Sequence, residues 1–176
     1  VTAAGGGYNR GFWISADPTV GPAVLVDVKV FLSANATYNY GIFNAGDASV
    51  RAAEISVSGG NYVVGIWNYG GSMRLSDSNI RVADGGSLTL GVYNYASPPS
   101  TFSNVTVSAS GPDPARAIQN DQSAVDIDKS EIGGPVAVFS QGTTHLGYSK
   151  ITAGQVVGTV KCVYLSDLNY DPYVCP

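Results

Sequence analysis

The chain has 176 residues, of which 44% are hydrophobic and only 12% are charged, and its formal net charge is −4. This length fits one domain with a continuous core, and the hydrophobic content excludes a disordered chain. The nine Lys and Arg residues are scattered singly, so the sequence offers no cationic surface for nucleic acid. No apolar run approaches the ~18 residues that a membrane span requires.

A short phrase of Gly, an aliphatic residue, an aromatic residue and Asn recurs along the chain. It stands at residues 41–44, 65–68 and 91–94, in altered form at 117–120, and its frame also fits 11–14 and 137–140. A phrase that returns every ~20 to 30 residues indicates a solenoid in which each repeat forms one coil. The first prediction is therefore a stacked, repetitive architecture.

Two further strand signals follow each phrase, such as Val50 and then Ile55-Ser56-Val57 after the phrase at 41–44. Gly-rich corners such as Ser58-Gly59-Gly60 lead to the next phrase. Three short strands per coil predict an all-β fold, a single-stranded parallel β-helix of about six coils. A β-propeller blade would need more residues per repeat, and leucine-rich repeats would need a regular Leu spacing that is absent here.

The two-residue period of a strand assigns a direction to each column of the phrase. The aliphatic column is predicted to face the core, together with Tyr40, Val64 and Leu90 two residues earlier. The Gly or Ala column is predicted to face outward as a flat strip. Beside it, a second outward column contains the large aromatic residues Trp13, Phe43, Trp67, Tyr93 and Phe139.

The Asn column is predicted to be structural. Asn tolerates left-handed backbone angles and suits a tight corner, and amides stacked at ~4.8 Å can bond from coil to coil as a ladder. Its members are Asn44, Asn68, Asn94 and Asn120.

The aromatic column has three interpretations that the residues leave open. Stacked rings can stabilise neighbouring coils, an exposed row of rings can pack against a partner subunit, and the same row can stack on the sugars of a glycan. The column is therefore the candidate contact surface for a glycan or a subunit.

The C-terminal region departs from the repeat. From residue 155 an alternating strand leads into a polar, Tyr-containing tail, so we predict β-helix coils over 1–154 and a capping strand and loop over 155–176. Cys162 and Cys175 are predicted to form a disulfide in this cap, which indicates an oxidising compartment. The cysteine spacing and the single His145 fit no metal site, and we predict no metal and no other cofactor.

An enzyme on this fold would need titratable residues clustered on one outer face of adjacent coils. The best local cluster is Asp126, Asp128 and Glu131 with Lys129, and we interpret it as solubilising charge. His145 is interpreted as a surface or corner residue. The sequence therefore predicts no enzymatic activity.

These motifs resemble a known family. Tyr40 to Gly46 (YGIFNAG) and Ser100 to Val107 (STFSNVTV) are similar to YGIYNxGxxPxLxNVTIxAxGG repeats of bacterial extracellular and phage tail-fibre-like proteins. They also resemble the wider pectate-lyase-like superfamily of right-handed parallel β-helices. The resemblance implies a right-handed helix and says little about activity, because fold and function are separate.

We therefore expect a secreted, cell-surface or virion-surface structural or adhesive module. Its partners would be a polysaccharide or cell-surface glycan, or copies of itself in a trimer or fibre, with no nucleic acid and no membrane span. The alternative implied by the resemblance is a polysaccharide-active lyase, glycoside hydrolase or epimerase.

Overall fold

The computed structural model describes residues 2–3, 7–15, 21–112, 114–166 and 175, with the side chains of residues 2 and 3 excepted. Every regular element in this part of the chain is a β-strand. In chain order the strands are β1 (Thr2–Ala3), β2 (Tyr8–Ile14), β3 (Ala23–Val26), β4 (Lys29–Ser33), β5 (Tyr38–Asn44), β6 (Ala48–Arg51), β7 (Glu54–Ser58), β8 (Tyr62–Tyr69), β9 (Met73–Ser76), β10 (Asn79–Ala83), β11 (Leu88–Tyr95), β12 (Ser100–Ser103), β13 (Thr106–Ser110), β14 (Ala115–Asp121), β15 (Ala124–Asp128), β16 (Glu131–Gly147) and β17 (Lys150–Val163).

The strands form three parallel faces around one axis. Face A contains β2, β5, β8, β11 and β14, each paired in parallel with the next. Face B contains β3, β6, β9, β12 and β15, and face C contains β1, β4, β7, β10 and β13. Because each strand pairs with the strand three places later, every three strands make one coil. The predicted single-stranded parallel β-helix is confirmed.

The last two strands bend around the axis without a break. β16 pairs in turn with β13, β14 and β15, so it alone forms a complete coil. Five coils contain three strands each, and with β16 they make the predicted six coils: β1–β3, β4–β6, β7–β9, β10–β12, β13–β15 and β16. The last strand, β17, pairs along β16 and adds one more level.

The core runs along the axis and is filled from all three faces. Face A supplies the aliphatic column of the phrase, with Ile42, Ile66 and Val92 fully buried. Faces B and C supply alternate residues of their short strands, such as Leu75, Phe102 and Ile55. The inward direction of the aliphatic column is as predicted. Stacking these side chains coil upon coil buries one continuous apolar cluster, which is the main source of stability in such a fold.

The corner between faces B and C is built from single residues in the left-handed conformation. Their φ angles lie between 46° and 54°, and they occupy the same place in successive coils: Asp27, Ala52, Asp77, Asn104, Lys129, Tyr148 and Tyr164. The prediction from the sequence, left-handed angles at the phrase asparagines, is wrong. Those asparagines lie inside strands of face A, and the sharp corner belongs to this other column.

The predicted disulfide between Cys162 and Cys175 is present, with a Cα–Cα distance of 6.0 Å. Cys162 lies near the end of β17, and residues 155–163 of the predicted cap belong to that strand. The capping role of residues 155–176 stays a prediction, and residues 167–174 and 176 lie outside the described residues.

Candidate functional site: the outer surface of face A

The outward side chains of face A form a surface that we call the aromatic face. The parallel register places them in columns that run along the axis. They comprise Tyr8, Tyr38 and Tyr62; Arg10, Tyr40, Val64, Leu90 and Arg116; Trp13, Phe43, Trp67, Tyr93, Gln119 and Phe139; and Tyr69, Tyr95 and Asp121.

The Gly column was predicted to face outward, and this prediction is wrong. Gly41, Gly65 and Gly91 are buried, and a Cβ built on Gly65 would lie 2.5 Å from Ile80 Cγ2 and 2.6 Å from the Gly91 carbonyl oxygen. Face A therefore passes so close to the side chains of face C that only Gly, or Ala in the later coils, fits. The flat outer strip does not exist.

The prediction that Tyr40, Val64 and Leu90 face the main core is also wrong. These residues form a second buried cluster, separate from the main core. The physical reason is that the Gly and the aliphatic residue after it both face inward, so the two-residue alternation breaks between them. Positions before the Gly are thereby shifted to the outer surface, where Phe43 and Trp67 pack against the second cluster.

The predicted aromatic column lies on the outer surface. Ring centroids are 5.9 Å apart for Trp13 and Phe43, 5.4 Å for Phe43 and Trp67, and 5.6 Å for Trp67 and Tyr93. Trp13 is 63% exposed, while Phe43, Trp67, Tyr93 and Phe139 are half-buried. Each ring contact contributes ~0.5 to 1.5 kcal/mol, so part of the role of the column is to stabilise the stack.

Two shorter aromatic columns, absent from the sequence predictions, lie on either side of the first. Tyr8, Tyr38 and Tyr62 stack with centroid distances of 4.5 and 4.9 Å, and Tyr69 stacks on Tyr95 at 5.6 Å. The signal was available, because a Tyr stands five residues before Trp13, Phe43 and Trp67 alike. The contact surface is therefore broad rather than one residue wide.

Arg10 lies at the N-terminal end of the aromatic face. Its guanidinium carbon is 4.5 Å from the ring centroid of Trp13 and 5.5 Å from that of Phe43. A guanidinium over aromatic rings is held by cation–π attraction. Arg10 is thus fixed on the face, half-buried.

A polar cluster interrupts the aromatic column at β14. Arg116 Nη1 donates to Gln119 Oε1 at 2.7 Å, and Gln119 Nε2 donates to Asp121 Oδ2 at 2.6 Å. The Arg116 guanidinium also lies 4.0 Å from the ring centroid of Phe139. Burial of the Tyr93 phenol, followed by the negative charge of Asp121, raises the pKa of Tyr93 above its ordinary value of 10.0.

Unpaired polar atoms are concentrated on this surface. Among the described residues, five buried side-chain nitrogen or oxygen atoms have no hydrogen-bond partner, and four of them belong to the aromatic face: Arg10 Nε, Trp67 Nε1, Arg116 Nε and Asp121 Oδ1. The fifth, Asn79 Oδ1, is on face C. Buried polar atoms are nearly always paired, so such a concentration needs an explanation.

The predicted asparagine ladder lies on the opposite, inward side of the same strands. Asn44 donates to Asn68 Oδ1 at 2.6 Å, Asn68 to Asn94 Oδ1 at 2.7 Å, and Asn94 to Asn120 Oδ1 at 3.1 Å. All four side chains are completely buried, so they have no access to a ligand. A shorter ladder that the sequence analysis missed joins Asn9 to Asn39 at 2.9 Å.

The acidic cluster identified from the sequence is divided by the fold. Asp126 lies on face B, where its Oδ1 is 2.8 Å from Nδ1 of His145 on the next level, and both side chains are largely exposed. Lys129 occupies the B–C corner, and Glu131 begins β16 on face C. Within the described ranges no group of three or more His, Cys, Asp or Glu side chains is placed to hold a metal ion.

Comparison with known proteins returns no matching family model, no matching curated protein and no matching solved structure. Among the described residues no helix has the length and apolar content to cross a membrane.

Proposed function

We propose that this chain is a non-enzymatic β-helix module of the cell exterior or virion surface, and that it binds a glycan chain along the aromatic face. The observation that carries the proposal is the combination of contacting rings and unpaired buried polar atoms on one surface. The rings supply apolar contact area for sugar C–H groups. The unpaired polar atoms lie just beneath half-buried side chains, and they supply hydrogen-bonding groups for hydroxyls when those side chains turn aside.

A glycan fits this surface better than a second subunit does. Aromatic residues and Arg also occur in the core of a subunit interface, but Asp is depleted there, whereas the aromatic face contains the buried carboxylate of Asp121. A sugar hydroxyl both donates and accepts hydrogen bonds, so one ligand type matches the three unpaired nitrogen donors and the one unpaired oxygen acceptor.

The rod-like architecture and the disulfide support an extracellular role. Disulfides persist in oxidising environments, and the Cys162–Cys175 bond joins the end of β17 to the C-terminal tail. A stack of coils suits a structural or adhesive part, because it presents an extended surface to a long polymer.

The proposal is tested by retention on a panel of immobilised plant, bacterial and animal polysaccharides. We expect retention of the wild-type chain on at least one polysaccharide and its loss in Trp13→Ala, because Trp13 is the most exposed ring of the aromatic column. Tyr148→Ala is the matched control, since Tyr148 is 62% exposed at the B–C corner and should leave retention unchanged.

Light scattering and thermal unfolding complete this experiment. Trp13→Ala should leave the unfolding temperature close to that of the wild type, because little of the ring is buried. Failure of the wild type to bind any polysaccharide, with a trimer that Trp13→Ala dissociates, would contradict the proposal and assign the aromatic face to subunit packing.

A polysaccharide-active enzyme is the second candidate, and the Asp126–His145 pair on face B favours it. A carboxylate that bonds one ring nitrogen of a histidine orients the other nitrogen for proton transfer. Incubation with the same panel, analysed for new reducing or unsaturated ends, tests this candidate. Products that disappear in His145→Ala would establish it.

A further inference from the structure

The coil that contains β14 differs from the preceding coils in its outward residues and matches them in its inward residues. Ala117, Ile118 and Asn120 continue the inward columns of the phrase and are completely buried. Their outward neighbours differ from the preceding coil: Arg116 is paired with Leu90, Gln119 with Tyr93, and Asp121 with Tyr95. The inward columns are preserved, so packing of the main core does not account for three polar residues at this level.

These three residues form a connected network that is left incomplete at two atoms. Hydrogen bonds join Arg116 to Gln119 and Gln119 to Asp121. Asp121 is only 7% exposed, yet its Oδ1 has no partner in the described part of the chain, and neither has Arg116 Nε. A buried carboxylate oxygen without a donor is costly, and rule-breaking groups of this kind concentrate at functional sites.

The network lies between aromatic rings on the levels before and after it. Tyr93 stands on the preceding level in register with Gln119, and Phe139 stands on the following level, also in register with Gln119. A sugar unit that continues the row of ring contacts past Tyr93 would therefore lie over the polar network.

The chemistry of the network selects the sugar. A carboxylate accepts hydrogen bonds only, and a guanidinium donates them only, so a pair of adjacent hydroxyls can satisfy both at once. A sulfate or carboxylate group could accept from Arg116, but it has no proton to donate to Asp121 Oδ1 and would be repelled by its charge.

We infer that Arg116, Gln119 and Asp121 form a specificity subsite for an uncharged sugar unit, bound through two adjacent hydroxyl groups. The inference rests on the proposed function. Asp121 Oδ1 is shielded from solvent, while Arg116 and Gln119 are partly exposed. A ligand hydroxyl reaches the Asp121 carboxylate when the partly exposed Gln119 side chain turns aside. Gln119 then exchanges its hydrogen bond with Asp121 for one to the sugar.

The test compares Asp121→Asn with the wild type by titration calorimetry against cello-, manno- and xylo-oligosaccharides, and against oligogalacturonate and sulfated oligosaccharides. The substitution preserves shape and removes the charge of the acceptor. We expect an affinity for the bound uncharged oligosaccharide that is weaker by about tenfold or more, the usual effect of losing a charge-assisted hydrogen bond. Asp128→Asn makes the same charge change on face B and is the control.

A second measurement separates recognition from a structural role. Derivatives of the bound oligosaccharide that lack single hydroxyls should lose affinity for the wild type, and at the hydroxyl that contacts Asp121 this loss should shrink in Asp121→Asn. Thermal unfolding of Asp121→Asn should show a temperature no lower than that of the wild type, because the substitution removes an incompletely paired buried charge.

The outcomes distinguish the subsite from the proposed function. If no oligosaccharide or polysaccharide binds the wild type, both are overturned. Binding that Trp13→Ala weakens and Asp121→Asn does not would overturn the subsite alone. Binding restricted to sulfated or carboxylated oligosaccharides would overturn the preference for uncharged sugar and leave the glycan proposal intact.

Discussion

The asparagine ladder and the aromatic face come from neighbouring positions of the same phrase and lie on opposite sides of the same strands. Trp67 and Asn68, for example, are adjacent in sequence and occupy the same level. In the ladder each amide is bonded to the next, and the donors of Asn68 also reach the Gly71 carbonyl oxygen at 2.8 Å. On the aromatic face the rings contact one another, while Trp67 Nε1 is buried without a partner.

Periodicity alone therefore does not tell a column whose polar groups are all paired within the protein from a column with unpaired polar groups. Both columns repeat at the same spacing, and both stabilise contacts between coils. They differ in whether the polar groups are satisfied inside the protein. The closed ladder leaves no polar group free for a ligand, whereas the aromatic face, with three unpaired donors and one unpaired acceptor, retains hydrogen-bonding capacity for the proposed glycan.

The largest expected effect is that of breaking the ladder. Asn68→Ala should lower the free energy of unfolding by ~3 kcal/mol, because it leaves Asn44 Nδ2 buried without an acceptor and removes the donor to Asn94 Oδ1 and to the Gly71 carbonyl oxygen. Urea denaturation measures this loss. Trp13→Ala, although it removes a larger side chain, should cost less than ~1 kcal/mol. Asn35→Ala, which removes an exposed asparagine, is the control. Equal losses of unfolding free energy for Asn68→Ala and Trp13→Ala would contradict the proposed difference between the ladder and the aromatic face.

A smaller loss of unfolding free energy is expected from a substitution in the buried Gly column. In Gly65→Ala the added methyl group meets Ile80 and the Gly91 carbonyl oxygen, and relief of this overlap should cost ~1 to 3 kcal/mol. Gly7→Ala is the control, because a Cβ at Gly7 meets nothing within 4 Å. Urea denaturation that finds Gly65→Ala as stable as Gly7→Ala would contradict the inward direction of the Gly column.

The Gly column also shows why the fold was easier to predict than the site. The inward direction of Ile42, Ile66 and Val92 follows from hydrophobicity and period, which the sequence displays directly. A Gly has no side chain, so its direction depends on how closely another face approaches. The close approach turns Gly41 inward next to the inward Ile42, so the alternation breaks there and Tyr40 faces outward. A strict two-residue period cannot reveal such a break.

The polar cluster was not predicted from the sequence for a different reason. In the sequence, Gln119 stands at the aromatic position of an altered phrase, and Arg116 stands at the position that Val64 and Leu90 hold in earlier coils. Only the parallel register brings them together with Asp121 on one level, and only the side-chain contacts show that one oxygen of Asp121 lacks a partner. Single substitutions in a repeat were visible in the sequence, but their association required the structure.

The smallest effect is expected from the alkaline titration of Tyr93, which joins the aromatic column to the polar cluster. Burial, and then the charge of Asp121, raise the pKa of Tyr93 above 10.0, so the folded state holds this proton more tightly than the unfolded state. The contribution of this group to stability is therefore complete below the unfolded pKa and falls as pH rises through 10.0 toward the folded pKa. Thermal unfolding from about pH 8 to about pH 11 should show this fall in the wild type and a shallower one in Tyr93→Phe. Some fall should persist in the variant, since burial also raises the pKa of Tyr40. Tyr148→Phe at the B–C corner is the control, and identical pH profiles for Tyr93→Phe and the wild type would show that the Tyr93 hydroxyl is not coupled to folding.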